Sequence, residues 1–212
     1  MTLDGAERVV GWIGAAIGLG TLGLALLAMV RSLRRPSGRV EPGARIALRL
    51  PLLLVATAVF LAAGLWLWRP IPLVLEPGVR TLSITCGIIL LTGGCCLYLW
   101  GLRSLGQMFA PSSGFGVRLH AGHRLIGSGP YAIVRHPMYL AVMAAALGSL
   151  LLYRTWATLA FAVIMLGLVV RARREERVLA QEVGQEWQEY AARVPAWLPR
   201  LRRSRPPHSS AP

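Results

Sequence analysis

The sequence predicts an all-α polytopic membrane protein: a transmembrane helical bundle of about five spans with a cytoplasmic amphipathic C-terminal helix. Three observations predict it. Of the 212 residues, 55% are hydrophobic and only 15% are charged, well below the roughly one quarter of a soluble domain. The apolar residues gather in runs long enough to cross a hydrocarbon core of roughly 30 Å. The net charge of +14 is carried entirely by arginines, which sit in the flanks and loops between those runs. That pattern orients a membrane protein and meets anionic lipid; it is not the one-sided stripe of a nucleic-acid binder, and none is expected here.

The elements follow in order. Residues 1–8 are a polar lead whose Asp4 and Glu7 stand against a single Arg8, unlike the basic start of a signal peptide. Val9 to Val30 is the first span and contains Gly14-Ala15-Ala16-Ile17-Gly18, a small-xxx-small pattern that lets helices approach closely. Arg31 to Arg49 holds six arginines against Glu41 alone and is expected on the cytoplasmic side. Leu50 to Trp68 is the second span, with Pro51 at its start, where a missing N–H costs little. A short Pro-rich connection, Arg69 to Arg80, leads to the third span, Thr81 to Trp100. Cys86, Cys95 and Cys96 all lie in that run without His, Asp or Glu beside them. They read as small hydrophobes, with neither a metal site nor a disulfide framework implied.

Gly101 to Pro137 is the longest polar connection. It carries Arg103, Arg118, Arg124 and Arg135 with His120, His123 and His136, and no acidic residue. A connection of this length in a small bundle is more often functional than idle. Met138 to Tyr153 and Trp156 to Val170 form a hairpin of two apolar helices turning at Arg154-Thr155; the first is short for a span. Ala141, Ala144, Ala145 and Gly148 suit it to close packing. Beyond Arg171 the apolar run stops but a helical stripe continues through Glu175, Leu179, Val183, Trp187, Tyr190 and Val194, predicting one continuous helix that Pro195 ends. The organisation is then 1–100, N-terminal membrane helices; 101–199, a core with the chemistry; and 200–212, a basic disordered tail. The N-terminus is expected outside and the C-terminus in the cytoplasm.

Two polar groups converge on the cytoplasmic side. One is Gly129 to Tyr139, where Tyr131, Arg135, His136 and Tyr139 crowd against a hydrophobic run. The other is the Arg171/Glu175 pair, four residues apart on one helix face. From spacing alone that pair is as readily a plain ion pair at a helix exit as part of a site.

The ordered set His123-Arg124-Leu125-Ile126-Gly127-Ser128-Gly129-Pro130-Tyr131, Arg135-His136-Pro137-Met138-Tyr139, Glu175-Glu176-Arg177-Val178-Leu179 and Tyr190 to Val194-Pro195 resembles the isoprenylcysteine carboxyl methyltransferase family. Phospholipid methyltransferases and bacterial membrane thiol methyltransferases are its wider relatives. The resemblance covers roughly residues 95–199. It implies an integral membrane methyltransferase that uses S-adenosylmethionine, with no metal, and a small-molecule or lipophilic acceptor: a carboxylate, a thiol or a lipid amine. It further implies that His123, Arg124, Leu125 and Ile126 line the cofactor and that Tyr131 packs on it. His136, Pro137, Met138 and Tyr139 would form the turn that holds it, Glu175 would bind its polar end, and Arg171 would face the acceptor as the catalytic residue. Ala141 stands where the family often has Gly. Membrane sterol reductases share part of this region with a nicotinamide cofactor, but Met138 replaces the Asn of their Arg-His-Pro-Asn-Tyr motif. That reductase reading and a non-catalytic protein on the same scaffold remain the alternatives.

Overall fold

The computed structural model describes residues 3–33, 50–106 and 126–199. The basic segment after Leu33, the connection carrying His120, His123, Arg124 and Leu125, and the tail from residue 200 lie outside the described residues. Among the described residues the chain is helical, in the order α1 (Leu3–Leu33), α2 (Leu50–Trp66), α3 (Pro77–Leu105), a 3-10 turn (Gly129–Ala132), α4 (Pro137–Tyr153), α5 (Trp156–Met165), α6 (Gly167–Glu182) and α7 (Gln185–Arg193). The five apolar segments expected from the sequence are all helices. Among the described residues, three stretches are long and apolar enough to cross a membrane: Leu3–Arg31, Pro77–Leu105 and Trp156–Glu182. Helices α2 and α4 have 17 residues each, about 26 Å at 1.5 Å per residue, and fall just short of the core thickness.

The centre of the fold is the α3–α4 pair. A Cβ on Gly94 would lie 2.6 Å from the Ala141 carbonyl oxygen and 2.8 Å from the Ala145 nitrogen, and one on Gly87 would lie 2.9 Å from the Leu152 nitrogen. Gly148 sits equally close to the α3 backbone. The small residues noted on α4 thus meet glycines on α3, which lets the two backbones touch and collect dispersion energy where lipid offers no hydrophobic gain. Ser83 adds a 2.7 Å hydrogen bond to the Leu151 carbonyl. Around this seam Ile84, Leu91, Cys95 and Leu152 are buried, with Val10, Ile17 and Tyr153 packed on them.

Helix α1 leans on that pair through one half of its small-residue motif. A Cβ on Gly14 would come within 2.8 Å of the Leu152 side chain, whereas Gly18 faces open space. The Tyr153 hydroxyl donates to the Gly11 carbonyl at 2.7 Å. Apolar side chains elsewhere on α1 and α2 point outward, among them Leu19 and Leu65, as a helix facing lipid requires.

The α4–α5 hairpin forms where it was expected. Arg154 closes α4 in the left-handed conformation, φ 48°. Thr155 then caps α5: its hydroxyl accepts from the Thr158 N–H at 3.2 Å, and the Thr158 hydroxyl receives the Thr155 N–H. The start of α1 and the start of α3 meet this turn. Glu7 accepts from Arg80, Nε at 2.6 Å, and from Arg154, while Asp4 pairs with Arg80 at 2.6 Å. These charges tie three helices together at one end of the bundle.

One expectation is corrected. The stripe from Arg171 to Val194 does not lie on one continuous helix. Helix α6 ends at Glu182, and Gly184 adopts φ +66°, a conformation open to glycine, before α7 begins. The break folds α7 back so that Trp187, Tyr190 and Val194 are buried together. Val194 is extended, as the residue before Pro195 prefers, and the chain leaves α7 there.

Candidate active site

The polar end opposite the Glu7 cluster is built by three pieces of chain: the turn 126–136, the first turn of α4, and α6–α7 with the segment that follows. Arg135 and His136 occupy the connection between the 3-10 turn and Pro137, which begins α4 without needing an N–H partner. Their main-chain N–H groups donate to the carbonyls of Pro195 and Ala196 at 2.8 and 3.2 Å. A strap after α7 therefore lies along this connection.

Side chains reinforce the junction. Arg135 Nε and Nη2 both reach Glu176 Oε1 at 3.0 Å, and Nη1 donates to the Ala191 and Val194 carbonyls at 2.9 and 3.3 Å. The guanidinium lies over the Trp187 ring, 5.7 Å from its centroid. His136 is buried, and its Nε2 stands 2.8 Å from the same Glu176 oxygen. One carboxylate oxygen thus gathers a guanidinium and an imidazole from the preceding turn onto α6.

Glu175, the neighbouring residue on α6, serves a different group. The Tyr139 hydroxyl donates to Glu175 Oε1 at 2.5 Å, and Arg171 Nε donates to the same atom at 3.3 Å. The Arg171 guanidinium lies 5.7 Å from the Tyr139 ring centroid. The i,i+4 pair read from the sequence is present, but a phenol from α4 joins it, so it spans two helices. The Glu175 side chain is largely buried, about 15% exposed, where a carboxylate is held only by donors or a cation.

The aromatic residues complete the wall. His136 and Tyr139 stack nearly parallel, 5.7 Å apart and 6° between planes, and Trp197 covers the imidazole at 5.3 Å. Tyr190 donates to the Tyr131 carbonyl at 2.7 Å, fixing the 3-10 turn against α7. Burial raises the Tyr131 phenol well above its usual range, with Tyr190 and Glu175 adding to the shift. Tyr190 is raised by burial too, against an opposing pull from Arg135. Both hydroxyls remain protonated donors at neutral pH.

The site residues expected from the sequence therefore fall into three groups. Tyr139, Glu175 and Arg171 converge, and His136 stacks beside them. Tyr131 stands behind, fixed by Tyr190, with Ile126 partly buried at the start of the turn. Pro137 is fully buried at the start of α4, and Met138 packs on α3, where only a glycine at 101 leaves room for it. His123, Arg124 and Leu125 lie outside the described residues. The sequence reading did not select Glu176, Trp187, Tyr190 or Trp197 as site residues. The doubled Glu175-Glu176 was the available signal for the first; the stripe marked Trp187 and Tyr190 as buried without showing what they support.

Residues 82–186 match the phospholipid methyltransferase family model. The chain is 34% identical over 85 residues to protein-S-isoprenylcysteine O-methyltransferase B of Arabidopsis thaliana, covering 39% of this chain and 43% of that protein. It is 31% identical over 131 residues to the cobalt-zinc-cadmium resistance protein CzcN of Cupriavidus metallidurans, covering 59% of this chain and 51% of that one. The chain thus spans about half the length of the curated relatives it matches. The matched region takes in α3 to α6, the helices that carry the convergent polar groups.

Proposed function

We propose, from the match of residues 82–186 to the phospholipid methyltransferase family model and the likeness to an isoprenylcysteine O-methyltransferase, that this chain transfers a methyl group from S-adenosylmethionine to a lipophilic or small-molecule acceptor. The observation that carries the reading is the Tyr139–Glu175–Arg171 group, a largely buried carboxylate at the edge of an apolar bundle. Its donor set fits the cofactor: a carboxylate for the cationic part, aromatic faces beside it, and a guanidinium for an anionic partner.

When bound, S-adenosylmethionine supplies an electrophilic methyl group on a sulfonium. Glu175 binds its cationic amino-acid end, and the Tyr139 hydroxyl holds that carboxylate in one orientation. Tyr131, anchored by Tyr190, supports the wall behind. Arg171 orients the acceptor, holding a carboxylate or favouring a thiolate. The apolar hairpin of α4 and α5 excludes water, which removes the solvation barrier to transfer between oppositely charged groups. Alignment of acceptor and methyl then supplies most of the acceleration. The acceptor enters from the bilayer and the cofactor from water.

The same reading assigns sidedness. The Glu7 cluster places the start of α1 at the end away from the site, so the last turn of α1, with Arg31, lies on the site's side. Positive-inside orientation then makes that side cytoplasmic and puts the N-terminus outside. The test is incubation of membranes containing the protein with labelled S-adenosylmethionine, followed by mass spectrometry of the methylated products. A labelled lipid-soluble product that depends on the protein supports the reading. Binding of a reduced nicotinamide cofactor in place of S-adenosylmethionine would replace it with the reductase.

A further inference from the structure

The two glutamates side by side on α6 have different partners, and the described contacts connect them by a route through α4. Glu176 Oε1 meets His136 Nε2 at 2.8 Å. His136 lies nearly parallel to Tyr139, 6° between planes. The Tyr139 hydroxyl in turn donates to Glu175 Oε1 at 2.5 Å. A carboxylate oxygen that close to a ring nitrogen needs a proton between them, so the imidazole carries its hydrogen on Nε2. A buried ring with one nitrogen held, Tyr139 nearly parallel to it and Trp197 tilted against it is restrained to one orientation. It is a flat, fixed surface against which the Tyr139 ring rests.

We propose that Glu176 is a positioning residue: it fixes the Nε2–H tautomer and the orientation of His136, and through that ring sets the Tyr139 hydroxyl on Glu175. This deepens the methyltransferase reading and rests on it for the role of Glu175. The Arg135–Glu176 pair alone would serve stability. The His136 contact on the same oxygen, joined to the Tyr139 stack, gives Glu176 a consequence for the cofactor that a structural ion pair lacks.

The test uses the full chain in detergent or lipid with 15N-labelled histidine. Imidazole nitrogen signals of His136, assigned by loss in His136→Asn, are recorded at mildly alkaline pH beside S-adenosylmethionine titrations by calorimetry. Wild type is expected to show Nε2 protonated and Nδ1 bare. Glu176→Ala is expected to turn His136 into a tautomer mixture and weaken cofactor binding on the order of tenfold, the loss of one charge-assisted hydrogen bond. Glu176→Gln, which retains an acceptor oxygen, is expected to restore the tautomer and most of the affinity. Arg135→Lys, which breaks the fork to the Ala191 and Val194 carbonyls, is expected to lower Tm while leaving the His136 signals in place.

Unchanged His136 signals in Glu176→Ala would overturn the proposal. So would altered signals with full affinity, or Arg135→Lys reproducing both effects of Glu176→Ala. If wild type binds no S-adenosylmethionine, the methyltransferase reading fails, and with it the role given to Glu176 at the cofactor; the nitrogen signals would still report the tautomer separately.

Discussion

The two ends of the bundle each gather nitrogen donors around a carboxylate, and they differ in what lies behind it. At one end Glu7 receives Arg80 on one oxygen and Arg154 on the other, joining the starts of α1 and α3 to the end of α4. At the other end Glu176 receives Arg135 and His136, joining the turn before α4 to α6. Both are staples between segments far apart in sequence. Next to Glu176, however, stands Glu175. Consecutive residues on a helix diverge by about 100°, so the two carboxylates address different neighbours. Glu175 takes a phenol from α4 and a guanidinium one turn earlier on its own helix. A staple that backs a second, separately partnered carboxylate is the arrangement of a site supported from behind; a staple alone is a joint.

That distinction is breakable by substitution. The largest effect is expected at Glu175. Glu175→Ala should abolish measurable cofactor binding in calorimetry, a loss on the order of a hundredfold or more, while the protein still inserts and keeps its helical circular dichroism. Next is Arg171→Ala, which should leave cofactor affinity within a few-fold and cut turnover on the order of a hundredfold, as expected when a group aimed at the acceptor is removed. Turnover unchanged in Arg171→Ala would reduce that residue to the second half of an ion pair.

The opposite end should respond in stability alone. Glu7→Ala takes the shared acceptor from Arg80 and Arg154 and is expected to lower Tm, with cofactor affinity unchanged. The smallest effect is expected at Thr155→Ala, which removes the cap of α5 at a cost of about 1 kcal/mol and should shift Tm slightly without touching binding. A cofactor-affinity defect in either variant would mean that the two ends are coupled, and the contrast between joint and site would lose its force.

The sequence made the bundle legible because apolar length and arginine placement are strong local signals. It also brought Arg171 and Glu175 to one face by spacing alone. What it could not show was which helices touch. Gly14 finds Leu152 while Gly18 finds open space, although both belong to the same motif. Nor does periodicity register a turn: the stripe from Arg171 to Val194 keeps its spacing across Gly184, where the backbone reverses course. Because α7 folds back, Trp187 and Tyr190 support the Arg135 and Tyr131 segment instead of extending α6 away from it. The role of Glu176 was hidden for the same reason, since its partners lie about forty residues earlier and meet it only through tertiary packing.

The central claim is that the carboxylate at Glu175 belongs to a cofactor site and the one at Glu7 to a joint. Calorimetric titration of S-adenosylmethionine into purified wild type, Glu175→Ala and Glu7→Ala tests it most directly. Saturable binding to wild type and to Glu7→Ala, with none to Glu175→Ala, is the expected result. Equal binding by all three proteins, or none by wild type, would contradict it.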